Sequence, residues 1–570
     1  MTGQRWSLVS ELAPHATLLD SAAPNLVLVQ VDPGDSIRDV ARLLAAADYY
    51  LVTVVGNDER ELEDRRFKIY YLFSHPTDDL FVMVEYLLDR DAASYVSIHD
   101  LFAATDPFER ELVDMLGLRP EGARVANVEP GSWLHAVYPR ALYPLRRDAT
   151  MAELRERVVW YAGGGEADEI NRLSPRHMVT VPVGPIHAGI IESGQFLIDI
   201  SGEAIEDLRL RLGYGHRGIE RLFQSRMRLL DGWRLAEQVA GDSSFAHSLA
   251  YCRAVEALTD TVPPVAAEIL RGLFLELERM HNHVADVAAL AEDVGLDWLA
   301  AEFAVQREDL LRVNRQLAGH RYLRGVNRPG GVHHSGELDP DAGRRIDEIS
   351  ADFRRLADDM RSRSGFRKRA IGVGVLTTEE ARHLGVTGLV ARASGIERDS
   401  RLRHPIGVYA DRGLLSAAPW SDWEPSSGEA AVGGAADDEA WRGDVYARFL
   451  IRVREVASSH AIVRHLLTRW AALPESDRRR LLVEPTVKPE NNYTSAIGYS
   501  EGFRGDVVYW LMQDKMRGIF RCKVRDPSML NWPALRRSVI PGPDPRRETM
   551  LADFPLINKS FNLSYCGNDL

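Results

Sequence analysis

Two stretches of this 570-residue chain set a carboxylate and an imidazole one helical turn apart, Glu278-x-x-His281 and Glu380-x-x-His383. In helical bundles that spacing holds a pair of metal ions, provided that two more carboxylates bridge them. The plainer reading puts these side chains on solvated helical faces, because the bridging carboxylates would still have to be supplied. A third acidic set, Glu109, Glu111 and Asp114 in DPFERELVDMLG, falls on neighbouring turns of one helix and reads as a solvated or docking face ahead of a cation site. Thiols are scarce. Cys252, Cys522 and Cys566 are the only cysteines, too few and too scattered for a four-thiolate iron–sulfur cluster or an all-cysteine zinc site within the chain. They read as reduced, buried, hydrophobe-like residues. No glycine-rich nucleotide fingerprint follows a strand, so nothing supports a direct NADH site.

The elements that must carry these residues are legible in part. Leu26 to Asp32 alternates as a half-buried strand, and Asp35 to Ala47 follows as a helix opened by Asp or Ser. Tyr50 to Val55, Phe67 to Ser74 and Leu80 to Leu88 add three strands, with the charged tract NDERELEDRR as a solvated hairpin tip between the first two. Residues 1–150 thus form a small α+β domain. The run YPRALYPLRRD and the glycines Gly163, Gly164 and Gly165 mark a linker at 151–170. Val179 to Gly215 reads as antiparallel sheet. Leu270, Leu273, Leu277, Met280, Val284 and Val287, spaced by three and four, stripe one face of a long core helix between Pro264 and Leu290. Residues 297–320 and about 443–472 supply two more helices, and Asp506 to Trp510 with Gly518 to Val524 a strand pair. Residues 421–441, rich in Gly, Ala, Ser and acids without a period, read as a flexible insertion. The fold class is therefore α+β, the small domain being followed at 171–570 by a large, mainly helical domain with an antiparallel sheet.

Length and composition set outer bounds. A chain this long exceeds what one typical core supports, and 45% hydrophobic with 27% charged residues suits a globular protein of two domains. No window is long and apolar enough to span a membrane, and the N-terminus lacks the basic start and apolar run of a signal peptide, so a cytoplasmic location is expected. A formal net charge of -13 disfavours nucleic acid as a partner, since phosphate binding needs a surplus of Lys and Arg.

Several motifs, in order along the chain, carry a resemblance. GYGHRGIERLF followed by EQVAGDSSFAHS (within Gly213 to Leu258), GPIHAGIIESG at 184–194, EDVG at 292–295, RPGGV at 328–332, VARASGI and DSRLRHPIGVY resemble motifs of nickel–iron hydrogenase large subunits and of the related complex I core subunit. DPFERELVDMLG is similar to the signature of the small peripheral-arm subunit of complex I, and its fusion ahead of the large subunit is the order of the formate hydrogenlyase type. The resemblance implies a hydrogenase-like large subunit that packs against a small iron–sulfur subunit and membrane subunits, peripheral on the cytoplasmic face of the membrane. The cluster would lie in the partner, with no cofactor in this chain itself.

What the resemblance also implies is a lost metal centre. The hydrogenase site takes four thiolates from two Cys-x-x-Cys pairs, and the matching positions here are Ala240, Ser243, Ser564 and Gly567. Two offer no donor and a neutral hydroxyl is a poor, hard ligand, which excludes hydrogen chemistry at nickel. In the complex I subunit the vacated cavity binds quinone through a histidine and a tyrosine, but the corresponding residues are Ile191 and Gly241. A quinone-like acceptor would then need a differently arranged polar cavity, for which His187, Glu192, Asp242 and Asp293 are the candidates. Within the resemblance Glu192 and Asp293 take the places of acidic residues in the catalytic region. His216 and Arg217 would face a cluster, and Arg328 and Arg392 would partner buried carboxylates. The alternatives are a non-catalytic structural subunit and, more remotely, the di-metal helical protein.

Overall fold

The computed structural model describes residues 3–570 apart from 22, 35, 91–92, 123–132, 134–137, 139–141, 158–177, 188–191, 412–413, 415–442, 490–491 and 542–547. The expected linker lies partly outside the described residues, and the insertion at 421–441 and Ile191 wholly so.

Near the N-terminus, β1 (Thr17–Leu19), β2 (Leu26–Val31), β3 (Tyr50–Asp58), β4 (Phe67–Ser74) and β5 (Phe81–Leu87) form a five-stranded sheet of order β1-β2-β5-β4-β3. Only β2 and β5 run parallel, and helix α1 (Ser36–Ala46) lies in the chain between β2 and β3. One face of the sheet buries Val27, Val29, Val31 and Val84 with Ile37, Val40 and Leu44 of α1 and with Leu112 and Leu116 of α2 (Asp106–Leu116). The other face is covered as well. Val52, Tyr70, Leu72, Phe81 and Met83 pack on Tyr499, Val508, Trp510, Met512 and Phe520, from a second sheet made of β9 (Ser495–Gly502), β10 (Gly505–Gln513) and β11 (Ile519–Arg525). Strands β4 and β5 are buried along their whole length, because both faces are lined.

Charged side chains stitch this seam. Residues 521, 523 and 525 alternate onto one face of β11. Arg521 and Arg525 donate through Nε to the carbonyls of Gly56 and Val52 at 3.0 Å, and Lys523 pairs with Glu111 of α2. The acidic helix face is therefore a docking face within the chain, not a solvated one. Glu109 is buried too, accepting from Ser97 at 2.6 Å. The tract NDERELEDRR needs a similar correction. Asn57, Asp58 and Glu59 at its start are buried, and Glu59 holds Lys68 at 3.1 Å and the Tyr70 hydroxyl at 2.6 Å. A hairpin tip would have left those carboxylates in water; instead Arg60 and the Arg147 nitrogen hold Asp58 at 2.7 and 2.9 Å, as Lys68 and Tyr70 hold Glu59.

Between these sheets in the sequence come β6 (Val179–Val183), β7 (Gln195–Ser201) and β8 (Ala204–Arg211), an antiparallel sheet as expected. Helices α3 (Ser244–Thr259), α4 (Val265–Asp293), α5 (Asp297–Ala318), α6 (Ala342–Ser362) and α7 (Val445–Ala472) follow. The stripe Leu270 to Val287 is wholly buried. Strand β9 was not expected, since SAIGYSEG is rich in the Gly and Ser of loops. Gly498 explains its composition: a Cβ there would meet the Ala250 carbonyl and the Ala254 nitrogen at 2.2 Å, so only glycine lets the strand lie against α3.

Candidate functional site

Loop 237–243 and the N-terminus of α3 are fixed from several sides. Arg217 donates to the carbonyls of Gln238 and Val239 at 2.7 and 2.8 Å, so its charge is spent holding the backbone just ahead of Ala240. Glu278 of α4 accepts from the Phe245 and Ala246 nitrogens at 2.7 and 2.9 Å, and Asn282, one turn on, donates to the Asp242 carbonyl at 2.7 Å. Among the described residues no cation bonds Glu278 directly, and burial pushes its carboxyl up to about 8. The di-metal spacing therefore has another use. Glu278 satisfies two helix-end N–H groups. Burial pushes His281 down to about 4, and its Nδ1 lies 3.0 Å from the Leu277 carbonyl. Glu380 closes a capping box with Thr377 and pairs with Arg537.

The first pair of expected ligand positions, Ala240 and Ser243, faces the C-terminal segment across one guanidinium. Arg504, in the turn between β9 and β10, grips both Asp242 oxygens at 2.9 and 2.6 Å, reaches the Ser243 hydroxyl at 3.3 Å and donates to the Asn562 carbonyl. On the far side, the Ser564 hydroxyl accepts from the Gly567 nitrogen at 2.9 Å, the Ser564 nitrogen donates to the Ser528 hydroxyl at 2.9 Å, and the Ser564 carbonyl accepts from Trp532. Gly567 lies against Asp526: a Cβ on it would fall 2.5 Å from the Asp526 Cγ. Asp526 is held in turn by His247 at 3.1 Å and by the Ser528 nitrogen at 2.7 Å, capping helix α8 (Pro527–Val539).

The other candidates divide into two groups. Glu192 reaches the C-terminal segment, accepting from the Cys566 nitrogen at 2.9 Å, and His187 anchors its own loop on the Gly194 carbonyl at 2.8 Å. Elsewhere, Asp293 pairs with Lys559 at 2.8 Å, Arg328 lies 3.5 Å over the Trp233 ring, and Arg392 bonds Glu455 and Glu501. His216 meets the Tyr138 hydroxyl at 2.7 Å, and burial pushes its pKa below the usual value, so the ring is neutral at pH 7. Of the candidates, then, Glu192 and Asp242 converge on the ligand positions, while Asp293, Arg328 and Arg392 each have ion-pair or ring partners of their own. Arg504 and Asp526 were not foreseen. Both sit in segments whose alternation reads as strand or turn, with no metal-like or catalytic spacing to single them out.

A nickel–iron centre needs four soft thiolates converging from two segments. Here two of the four positions lack any donor atom, the other two are hydroxyls, and a permanent cation bridges the segments. The donor set does not fit that group.

The chain thus joins an N-terminal module, through the sheet seam, to a helical body built on α4 and α7, with paired loops at 240–243 and 564–567. The family of the respiratory-chain NADH dehydrogenase 30 kDa subunit matches residues 29–154, and that of the 49 kDa subunit matches 293–569. Formate hydrogenlyase subunit 5 of Escherichia coli is 30% identical over 91% of this chain and 84% of its own length. The chain belongs to this complex I and hydrogenase large-subunit family, with the 30 kDa module fused ahead. NADH-quinone oxidoreductase subunit 4 of Thermus thermophilus is 29% identical over 67% of this chain and 92% of its own length. A chain of the archaeal membrane-bound sulfane sulfur reductase complex superposes with a TM-score of 0.57 at 21% identity, covering 69% of this chain and 99% of that one, a likeness of fold.

Proposed function

We propose that the chain is the large subunit of a membrane-associated oxidoreductase complex of the complex I and energy-converting hydrogenase kind, working without a nickel–iron centre. Electrons would pass through an iron–sulfur cluster held by a small partner subunit on the cytoplasmic face. One observation carries this reading: the Arg504 guanidinium bonds Asp242 and Ser243 between two segments that hold one thiol, Cys566, which burial keeps protonated with its pKa pushed up to about 12. A cation already placed there opposes a dication by charge, and hydroxyls with one protonated thiol do not make the soft thiolate set that a nickel–iron centre needs.

A quinone-like acceptor has support of a weaker sort. Asp242 and Glu192 are polar groups beside the vacated positions, although Gly241 supplies no side-chain hydrogen bond where the complex I subunit has its tyrosine. The non-catalytic reading gains from Arg504 and Asp526, which fill space between the two segments.

Isolation of the native complex in mild detergent tests the proposal. A small iron–sulfur subunit and membrane subunits should copurify, and a quinone analogue or redox dye should be reduced by the assembly. A chain recovered alone from both membrane and soluble fractions, with no crosslinked partner, would overturn it.

A further inference from the structure

The tip of the hairpin between β10 and β11 meets the residues that end and follow helix Ile219–Arg226, and together they make one basic patch. Arg228 pairs with Gly518 in an isolated antiparallel bridge, and the Leu229 nitrogen donates to the Arg517 carbonyl at 3.1 Å. Arg226, Arg228, Lys515 and Arg517 are all exposed, and Met516, at the tip, is 85% exposed. Among the described residues none of these four cations has an ion-pair partner. Asp514, the carboxylate of the same turn, accepts from the Met516 and Gly518 nitrogens at 2.7 and 2.6 Å, and Asp231 pairs with Arg234. Lys515 lies over the Tyr493 ring, 5.5 Å from its centroid.

Two features point to a surface that is covered in use. The chain as a whole carries a formal net charge of -13, yet here four positive charges stand against the single carboxylate of Asp514, and like charges drawn together by a backbone bridge repel. Arg517 also takes a φ of 58°, in the left-handed region that glycine enters at least cost, so a long cation is kept where the turn itself favours the smallest residue. A carboxylate-bearing surface laid over the patch relieves the repulsion and buries Met516, whose flexible thioether fills an irregular apolar socket. Arg and Met are side chains enriched where protein surfaces meet. A bilayer would gain one apolar side chain from this tip, too little for stable attachment, so the observations favour a protein.

We propose that this patch docks a partner subunit through an acidic face with a small apolar socket for Met516. The inference rests on the reading that the chain works inside a complex.

Photocrosslinking of the full-length chain, carrying the substitution Met516→p-benzoylphenylalanine and irradiated in native membranes, tests this. One partner protein should be crosslinked, at a peptide rich in Asp and Glu, and adding R228E and R517E should cut the yield several-fold. In the isolated full-length chain the same two replacements should leave the melting temperature unchanged or raise it, because they relieve repulsion. A crosslink to lipid, to a peptide without carboxylates, or to no protein while partners still copurify would overturn the docking site and leave the complex standing. Failure of any partner to copurify would overturn both. A yield unmoved by the charge reversal, or a melting temperature lowered by several degrees, which would assign the arginines to the fold, would also overturn the proposal.

Discussion

Arg504 shows what a single side chain does to this site. Its guanidinium holds Asp242 bidentately and ties the loop at 240–243 to the Asn562 carbonyl, so replacing it with alanine strands a carboxylate and frees two segments at once. Because the Asp242 side chain is 38% exposed, the loss is set nearer a charged hydrogen bond than a fully buried pair. R504A should cost about 2 kcal/mol in denaturant unfolding, and D242A should recover part of it in a double-mutant cycle. Additive losses would mean the pair is not coupled. Glu278 gives a second expectation. With its folded pKa raised to about 8, it contributes stability while it stays protonated, and that contribution is lost as pH rises from its unfolded value through about 8. The melting temperature of the wild type should therefore fall, relative to E278Q, between about pH 4.5 and about pH 8 and level off above that. Parallel curves would show that Glu278 does not titrate there. Neither residue's role was legible beforehand. The spacing of Glu278 and His281 fits a metal pair as well as a helix-end acceptor, and only the approach of Phe245 decides between them. Asp242 could be marked from its place between the old ligand positions, but its partner is 262 residues away in sequence.

At the level of elements, the seam between the two sheets is the largest feature that reasoning from the sequence only half reached. The strands of the N-terminal module could be placed because their ends carry Asp, Gly and Pro. Their near-continuous apolar runs, FKIYYLFS and FVMVEYL, are the mark of a sheet covered on both faces, and the covering sheet comes from residues 495–525. Long helices were easier, since a spacing of three and four over several turns admits one face, as along α4. Strand β9 escaped because Gly498 is chosen for contact with α3 rather than for strand propensity. The seam's strength can be measured at Lys523, buried between Glu111 and Glu220. K523M leaves the two carboxylates to share Arg521 and should destabilise the chain by about 3 kcal/mol, the low end for a broken buried pair. Calorimetry should show the N-terminal module and the body losing stability together. A single early transition confined to the module would mean that the seam does not couple them.

For the whole molecule, the family fixes the setting and the site fixes the limit. No helix among the described residues is long and apolar enough to cross a membrane, and several of the relatives are subunits of membrane-bound complexes. The architecture of a large subunit is kept, including the loops that would face each other across a metal, while the residues on those loops are Ala240, Ser243, Ser564 and Gly567 with Arg504 between. Restoring one thiol does not restore the site. G567C places its Cβ against Asp526, and should lower stability by disturbing the His247 and α8 contacts that Asp526 makes. The most direct measurement is the nickel and iron content of this chain, separated from its partners after native isolation, together with hydrogen uptake and evolution by the intact complex. The account predicts no stoichiometric nickel and no hydrogen activity; one nickel per chain accompanied by hydrogen turnover would contradict it.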